Sequence, residues 1–155
     1  MPAFLFRSRF VIALIFALLL LFSQSCKKAV EDIKVSALQT YFEQEILNRT
    51  YIVENASDNG TDKTADFSGF YFVLTKTNSY IDGPMIGYRN NDTIRGTWTS
   101  SDDYGFLLIN LQTPAPPPSF SFINRKWRFV RKDIPVMQLA PWGTTDAKVL
   151  NMRRL

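Results

Sequence analysis

The 155 residues contain no histidine and a single cysteine. Without histidine, Ser-His-Asp and Cys-His catalysis in their usual forms are excluded, as are imidazole metal ligands. A lone cysteine, Cys26, forms no intrachain disulfide and no multi-thiolate zinc site. An excess of either charge is also missing. Lys and Arg number 18 against 14 Asp and Glu, and two of the bases, Arg7 and Arg9, lie in the first 25 residues, where there are no acids. The remainder is too evenly charged to point to nucleic acid. Finally, the long apolar run over residues 10–22 has 13 residues, short of the roughly 20 that a helix needs to cross hydrocarbon. An enzyme would have to work with carboxylates, hydroxyls, Lys or Tyr. No convergent acid, base and nucleophile set is visible, so the expectation is a protein without enzymatic activity and without a metal or cofactor.

What is present begins at the N-terminus. Two arginines, the apolar run, then Ser23-Gln24-Ser25 lead directly to Cys26. This order resembles the bacterial lipoprotein signal, in which the cysteine sulfur is acylated and the chain is cut just before it. It implies a signal peptide over 1–25, a lipidated tether with an amphipathic helix over 26–48, and a domain over 49–155. Each buried CH₂ contributes about 0.8 kcal/mol, so several acyl chains such as palmitate hold a protein firmly on a membrane. Lys27 and Lys28 would then lie beside lipid headgroups. The expected location is the bacterial cell envelope, lipid-anchored, with the outer membrane favoured. Competing readings of the same residues are an ordinary secretory cleavage, an uncleaved anchor helix and a buried core cysteine.

Over residues 30–47, Val30, Ile33, Ala37, Leu38, Tyr41, Phe42, Ile46 and Leu47 recur at helical steps with no Gly or Pro. The spacing predicts an amphipathic helix packed on the domain, plugging an open end. After Asn48 the pattern changes to short aromatic and β-branched runs between turn clusters. Strands are expected over 50–55, 67–77, 93–99, 106–111, 126–131, 136–139 and 148–154, with weaker runs over 79–82 and 85–88 on either side of Gly83-Pro84. Turns are expected at Ser57-Asp58-Asn59-Gly60, Asn90-Asn91-Asp92, near Asp133 and at Trp142-Gly143-Thr144-Thr145. The stretch TPAPPPS over 113–119 reads as an extended connector, because its prolines lack the backbone donor. The sum is mainly β: a small antiparallel up-and-down barrel preceded by one helix.

The segments NRTYIVENASDNGTDKTADFSGFYFVL, DTIRGTWTSSDDYGFLLINL, INRKWRFVRK and KVLNMRR together resemble the lipocalin-like domain of small bacterial envelope lipoproteins, over about residues 46–155. The resemblance implies a short up-and-down β-barrel in a family most of whose members have no established activity. Where such domains open with Gly-x-Trp, this chain has Arg49-Thr50-Tyr51, a smaller aromatic at the position that closes the barrel bottom.

Candidate sites follow from the barrel. Phe70, Phe72, Ile94, Trp98, Leu108 and Trp127 are candidates to line an apolar interior pocket for a small hydrophobic ligand. Asp92-Thr93-Ile94 resembles an O-glycosylation acceptor triplet, with Thr93 as the modified residue. The Arg125–Lys132 run alternates bases with Trp127 and Phe129, as a half-buried strand does. Oxygen side chains over 55–66 echo a calcium-loop spacing without its acidic ends, and read as a hairpin loop. Exposed Tyr88, Tyr104, Phe120 and Trp142 would anchor a partner protein of the envelope. The residues thus support two roles, ligand carrier and interaction module, and separate neither.

Overall fold

The computed structural model describes residue 30, residues 32–131 and residues 134–155. The leader, Cys26, Lys27, Lys28 and the turn near Asp133 lie outside the described residues. The chain divides into two units, Met1–Ala37 and Leu38–Leu155. Helix α1 covers residues 32–45. Its described residues in the first unit include an exposed Ile33, and Val30 just ahead of it is exposed too. In the second unit Phe42, Ile46 and Leu47 are buried and Leu38 packs against the same core. The stripe expected over 30–47 is therefore buried in its second half alone.

The second unit carries β1 (Thr50–Asp58), β2 (Thr61–Asp62), β3 (Tyr71–Leu74), β4 (Asp82–Arg89), β5 (Asp92–Ser100), β6 (Phe106–Thr113), β7 (Lys126–Arg131), β8 (Val136–Pro141) and β9 (Lys148–Arg154). Each strand from β3 onward pairs with the next, β1 pairs with β3, and β1 also pairs with β9. Every pairing is antiparallel, so β1 and β3–β9 form a closed up-and-down barrel of eight strands with no free edge. The two-residue β2 is a stub on the end of β1. The seam between β1 and β9 runs from Tyr51↔Arg154 to Asp58↔Lys148, bent by a bulge at Val53/Asn55. Beside its last rung Lys148 ion-pairs with Asp58 and holds that carboxyl below the usual carboxylate range.

Alternation decides which side chains face inward. Ile94 and Trp98 on β5, Leu107, Ile109 and Leu111 on β6, Met137 and Leu139 on β8, and Leu150 and Met152 on β9 are all buried. Three expectations need correction. The strand over 67–77 is confined to Tyr71–Leu74, because Phe67 belongs to a 3₁₀ turn, Thr64–Phe67, and Gly69 takes a positive φ of 76° between them. The weak run over 79–82 contributes only Asp82 to a strand; β4 runs from there through Gly83-Pro84 and the second run. Thr75 N–H donates to the Pro84 carbonyl, so the missing N–H of Pro84 faces the side where β3 has already ended at Leu74. The 113–119 connector is more than a linker: it opens with a cis Thr113-Pro114 bond and ends in a 3₁₀ turn, Pro118–Ser121, that delivers Phe120 into the core.

The two barrel ends are closed by different elements. At one end Phe42 of α1 stacks on Tyr104 at 4.4 Å and lies 5.5 Å from Trp98 and 6.3 Å from Phe129. At the other, Phe120 packs on Phe70 at 5.0 Å, Phe67 at 5.8 Å and Phe72 at 6.0 Å. Both interior tryptophans tie a loop to the wall. Trp98 donates its Nε1–H to the Thr75 carbonyl at 2.6 Å, and Trp127 to the Ile123 carbonyl at 2.9 Å.

Tyr51 is fully buried, and its hydroxyl donates to the Glu45 and Ile46 carbonyls at the end of α1, 3.1 and 3.2 Å away. Burial, opposed by Arg154, holds its phenol well above the ordinary value. The neutral form thus contributes stability that persists below pH 10 and is lost as pH rises further. Tyr51→Phe is expected to cost about 1–2 kcal/mol in urea unfolding at neutral pH, because the helix-end carbonyls lose their donor. No measurable loss would show that water replaces the hydroxyl without penalty.

Candidate binding cleft

Of the six residues expected to line an interior pocket, five are inside the barrel. Phe72, Trp98 and Trp127 are fully buried, and Phe70 and Ile94 nearly so. They form core together with side chains from every strand of the barrel wall. Leu108 is a correction. It is 37% exposed on the outer wall, because Leu107 and Ile109 take the inward positions on either side of it. Two of the proposed surface anchors are also corrected, since Tyr104 and Phe120 are the buried ring partners of Phe42 and Phe70.

Open space lies instead at the barrel end closed by Phe120. A cleft of about 710 Å³ is lined by Phe70, by Arg89 to Arg95 except Asn90, and by Pro114-Ala115-Pro116-Pro117. The local sequence explains it. Strands β4 and β5 are joined by a two-residue turn, Asn90-Asn91, with Asn90 at φ 53°. Strand β6 leaves its partner early, so its pairing with β5 reaches Arg95↔Thr113 and no farther. The proline connector runs past the unpaired start of β5 without the donors needed to continue the ladder. Meanwhile Asn124 stands in as a strand partner for β6, accepting from the Leu111 N–H at 2.9 Å and donating to its carbonyl at 2.8 Å.

The exposed lining of the cleft is mostly polar: Phe70 and Ile94 lie behind it, 2% and 4% exposed, and its apolar surface comes mainly from the proline connector. The Arg89 guanidinium lies over the Phe70 ring, 4.2 Å from its centroid. Arg95 projects from the outer face of β5 and is exposed. Asp92 is the carboxylate of the lining. The structure therefore brings together Phe70, Thr93 and Ile94 from the sequence candidates and leaves Phe72, Trp98 and Trp127 in the core. Sequence reasoning missed Arg89, Arg95 and the prolines. The usable signal was a proline run next to a strand too short to cover its neighbour.

Smaller clefts of about 360 and 370 Å³ lie beside Ile52, Val53 and Phe67, and beside Gly83, Pro84 and Trp98. Their ionisable side chains are Tyr71 in the first and Asp82 in the second. Among the described residues no group of three or more Cys, Asp or Glu converges as metal ligands would.

The crystal structure of a DUF4847 family protein from Bacteroides vulgatus ATCC 8482 superposes on this chain with a TM-score of 0.51. The fold is shared. Sequence identity is 21%, and the match covers 72% of this chain and 95% of that one. No protein-family model and no curated protein matches the sequence.

Proposed function

We propose that this chain is a lipid-anchored, non-enzymatic protein of the bacterial envelope whose barrel holds a small, partly apolar ligand in the end cleft. The observation that carries the binding role is the placement of space: the interior candidates are buried in the core cluster, whereas the end cleft has the size of ordinary small-molecule sites, roughly 300–1,000 Å³. A mostly polar lining beside the proline connector suits a ligand with a polar head and a compact apolar part. The anchor reading rests on the order of Arg7, Arg9, the apolar run and Cys26.

Mass spectrometry of the protein from its native membrane is expected to show a chain starting at Cys26, carrying acyl chains. Cys26→Ala is expected to move the protein into the soluble periplasmic fraction. If that variant stays on the membrane, the leader is an uncleaved anchor and the lipoprotein reading fails. Ala115→Trp, which fills the cleft, is expected to abolish ligand carried through purification.

One surface supports the second role, contact with another envelope protein. On the outer wall Trp142 is 43% exposed and meets Phe106 edge-on at 5.4 Å, with Lys126 Nζ 3.8 Å from the Phe106 centroid and 4.4 Å from that of Trp142. With Leu108 beside it, this patch is the one a partner would cover.

A further inference from the structure

Four arginines of the barrel unit are committed to acceptors. Arg49 and Arg125 donate to the main-chain carbonyls of Gln44 and Phe122, and Arg153 and Arg154 to the carboxylates of Glu54 and Glu45. Arg89 and Arg95 are different. Among the described residues neither guanidinium has a carboxylate or carbonyl partner, although Asp92 lines the same cleft. The Arg89 guanidinium lies over the Phe70 ring, 4.2 Å from its centroid, and Arg89 lines the cleft, so its five N–H donors are within that lining. A third donor comes from the backbone. In a two-residue hairpin the closing pair, here Arg89 and Asp92, exchange their main-chain bonds, so Thr93 turns its N–H away from β4. No carbonyl of the proline connector accepts it.

From these donors we infer that the cleft binds a small soluble organic anion, its carboxylate or phosphate head between Arg89, Arg95 and the Thr93 N–H and its apolar body against the Pro114–Pro117 connector. The inference rests on the binding role assigned to this cleft and adds the ligand's charge and polarity. Planar guanidinium groups match such heads in shape as well as charge. A volume of about 710 Å³ accommodates a compact molecule more readily than the two acyl chains of a membrane lipid.

Three soluble probes dissect the site in the detergent-solubilised full chain, read by the NMR shift of the Thr93 amide: phenyl phosphate, inorganic phosphate for the head alone and benzyl alcohol for the body alone. Phenyl phosphate is expected to bind about tenfold or more tightly than either fragment, and Arg89→Gln/Arg95→Gln to reduce it to the level of benzyl alcohol. Both arginines are at the surface of the fold, and Arg95→Glu alone, judged by unchanged thermal unfolding, provides a second variant with the same expected loss. If benzyl alcohol matches phenyl phosphate, or the arginine variants bind it as the parent does, the anionic ligand is overturned and the binding role of the cleft stands. If no probe moves Thr93, the binding role of the cleft falls with it. A shift induced by phosphatidylglycerol nanodiscs alone would put a lipid headgroup in the cleft and overturn a soluble ligand.

Discussion

Gly96→Ala is expected to destabilise the barrel by about 3–5 kcal/mol, at the upper end of what a single added methyl does. A Cβ at this position would stand 1.9 Å from the Asn110 carbonyl oxygen and 2.6 Å from Leu111 Cα. Both obstacles are backbone, so neither can rotate aside as the end of a side chain would. Gly96 also sits at the bulge where β5 and β6 shift register, and Leu111 opposite is fully buried. In an open sheet an edge strand could slide away, but a closed ring transmits the displacement to its neighbours. For a domain of this size the loss corresponds to a fall in melting temperature of roughly 10–20 °C. Gly143→Ala is the control, because its φ of 69° strains alanine while nothing lies within 4 Å of the new methyl. That variant is expected to lose about 1–2 kcal/mol. Equal melting temperatures for the two would show that β5 and β6 have slack the geometry does not contain.

Gly83 poses a related constraint. Its Cβ would stand 2.0 Å from the Thr75 carbonyl, the same oxygen that accepts the Trp98 Nε1–H. That obstacle is backbone too, and Thr75 is held by its N–H to the Pro84 carbonyl, so relief comes at the expense of that bond or of the one from Trp98.

The sequence was most informative where alternation is undisturbed. Residues 93–99 place Ile94 and Trp98 on one face and polar groups on the other, and β7 and β9 have the bounds their patterns predict. It was least informative where residue type is the same on both faces. Phe106, Leu107, Leu108 and Ile109 are all apolar, and only pairing with β5 and β7 decides that Leu107 faces in and Leu108 out. Phe67 and Phe70 looked like strand because their burial is against Phe120, which is more than 45 residues away in the chain and whose connector read as a plain linker. The cleft was hidden for the same reason. Arg89, Arg95 and Pro114–Pro117 share no motif, and they become neighbours only because β6 parts from β5 at Arg95.

The second large effect concerns the helix that closes the opposite end. Phe42→Ala is expected to cost about 3–5 kcal/mol, as expected for truncating a fully buried aromatic. Other contacts of α1 look prominent but are weaker. Its ion pairs, Glu43 with Lys76 and Glu45 with Arg154, have side chains 26–39% exposed. Pairs so wetted are screened by solvent and contribute little. The Phe42 ring instead fills the space between Tyr104, Trp98 and Phe129, and nothing else on α1 reaches that depth. Glu43→Gln and Glu45→Gln are therefore expected to leave denaturant midpoints nearly unchanged, while Phe42→Ala lowers them sharply and shifts tryptophan emission to the red as water reaches Trp98. The opposite ranking, with the charge variants unfolding early and the alanine variant near the parent, would mean that α1 is held from its surface and that the barrel closes without it.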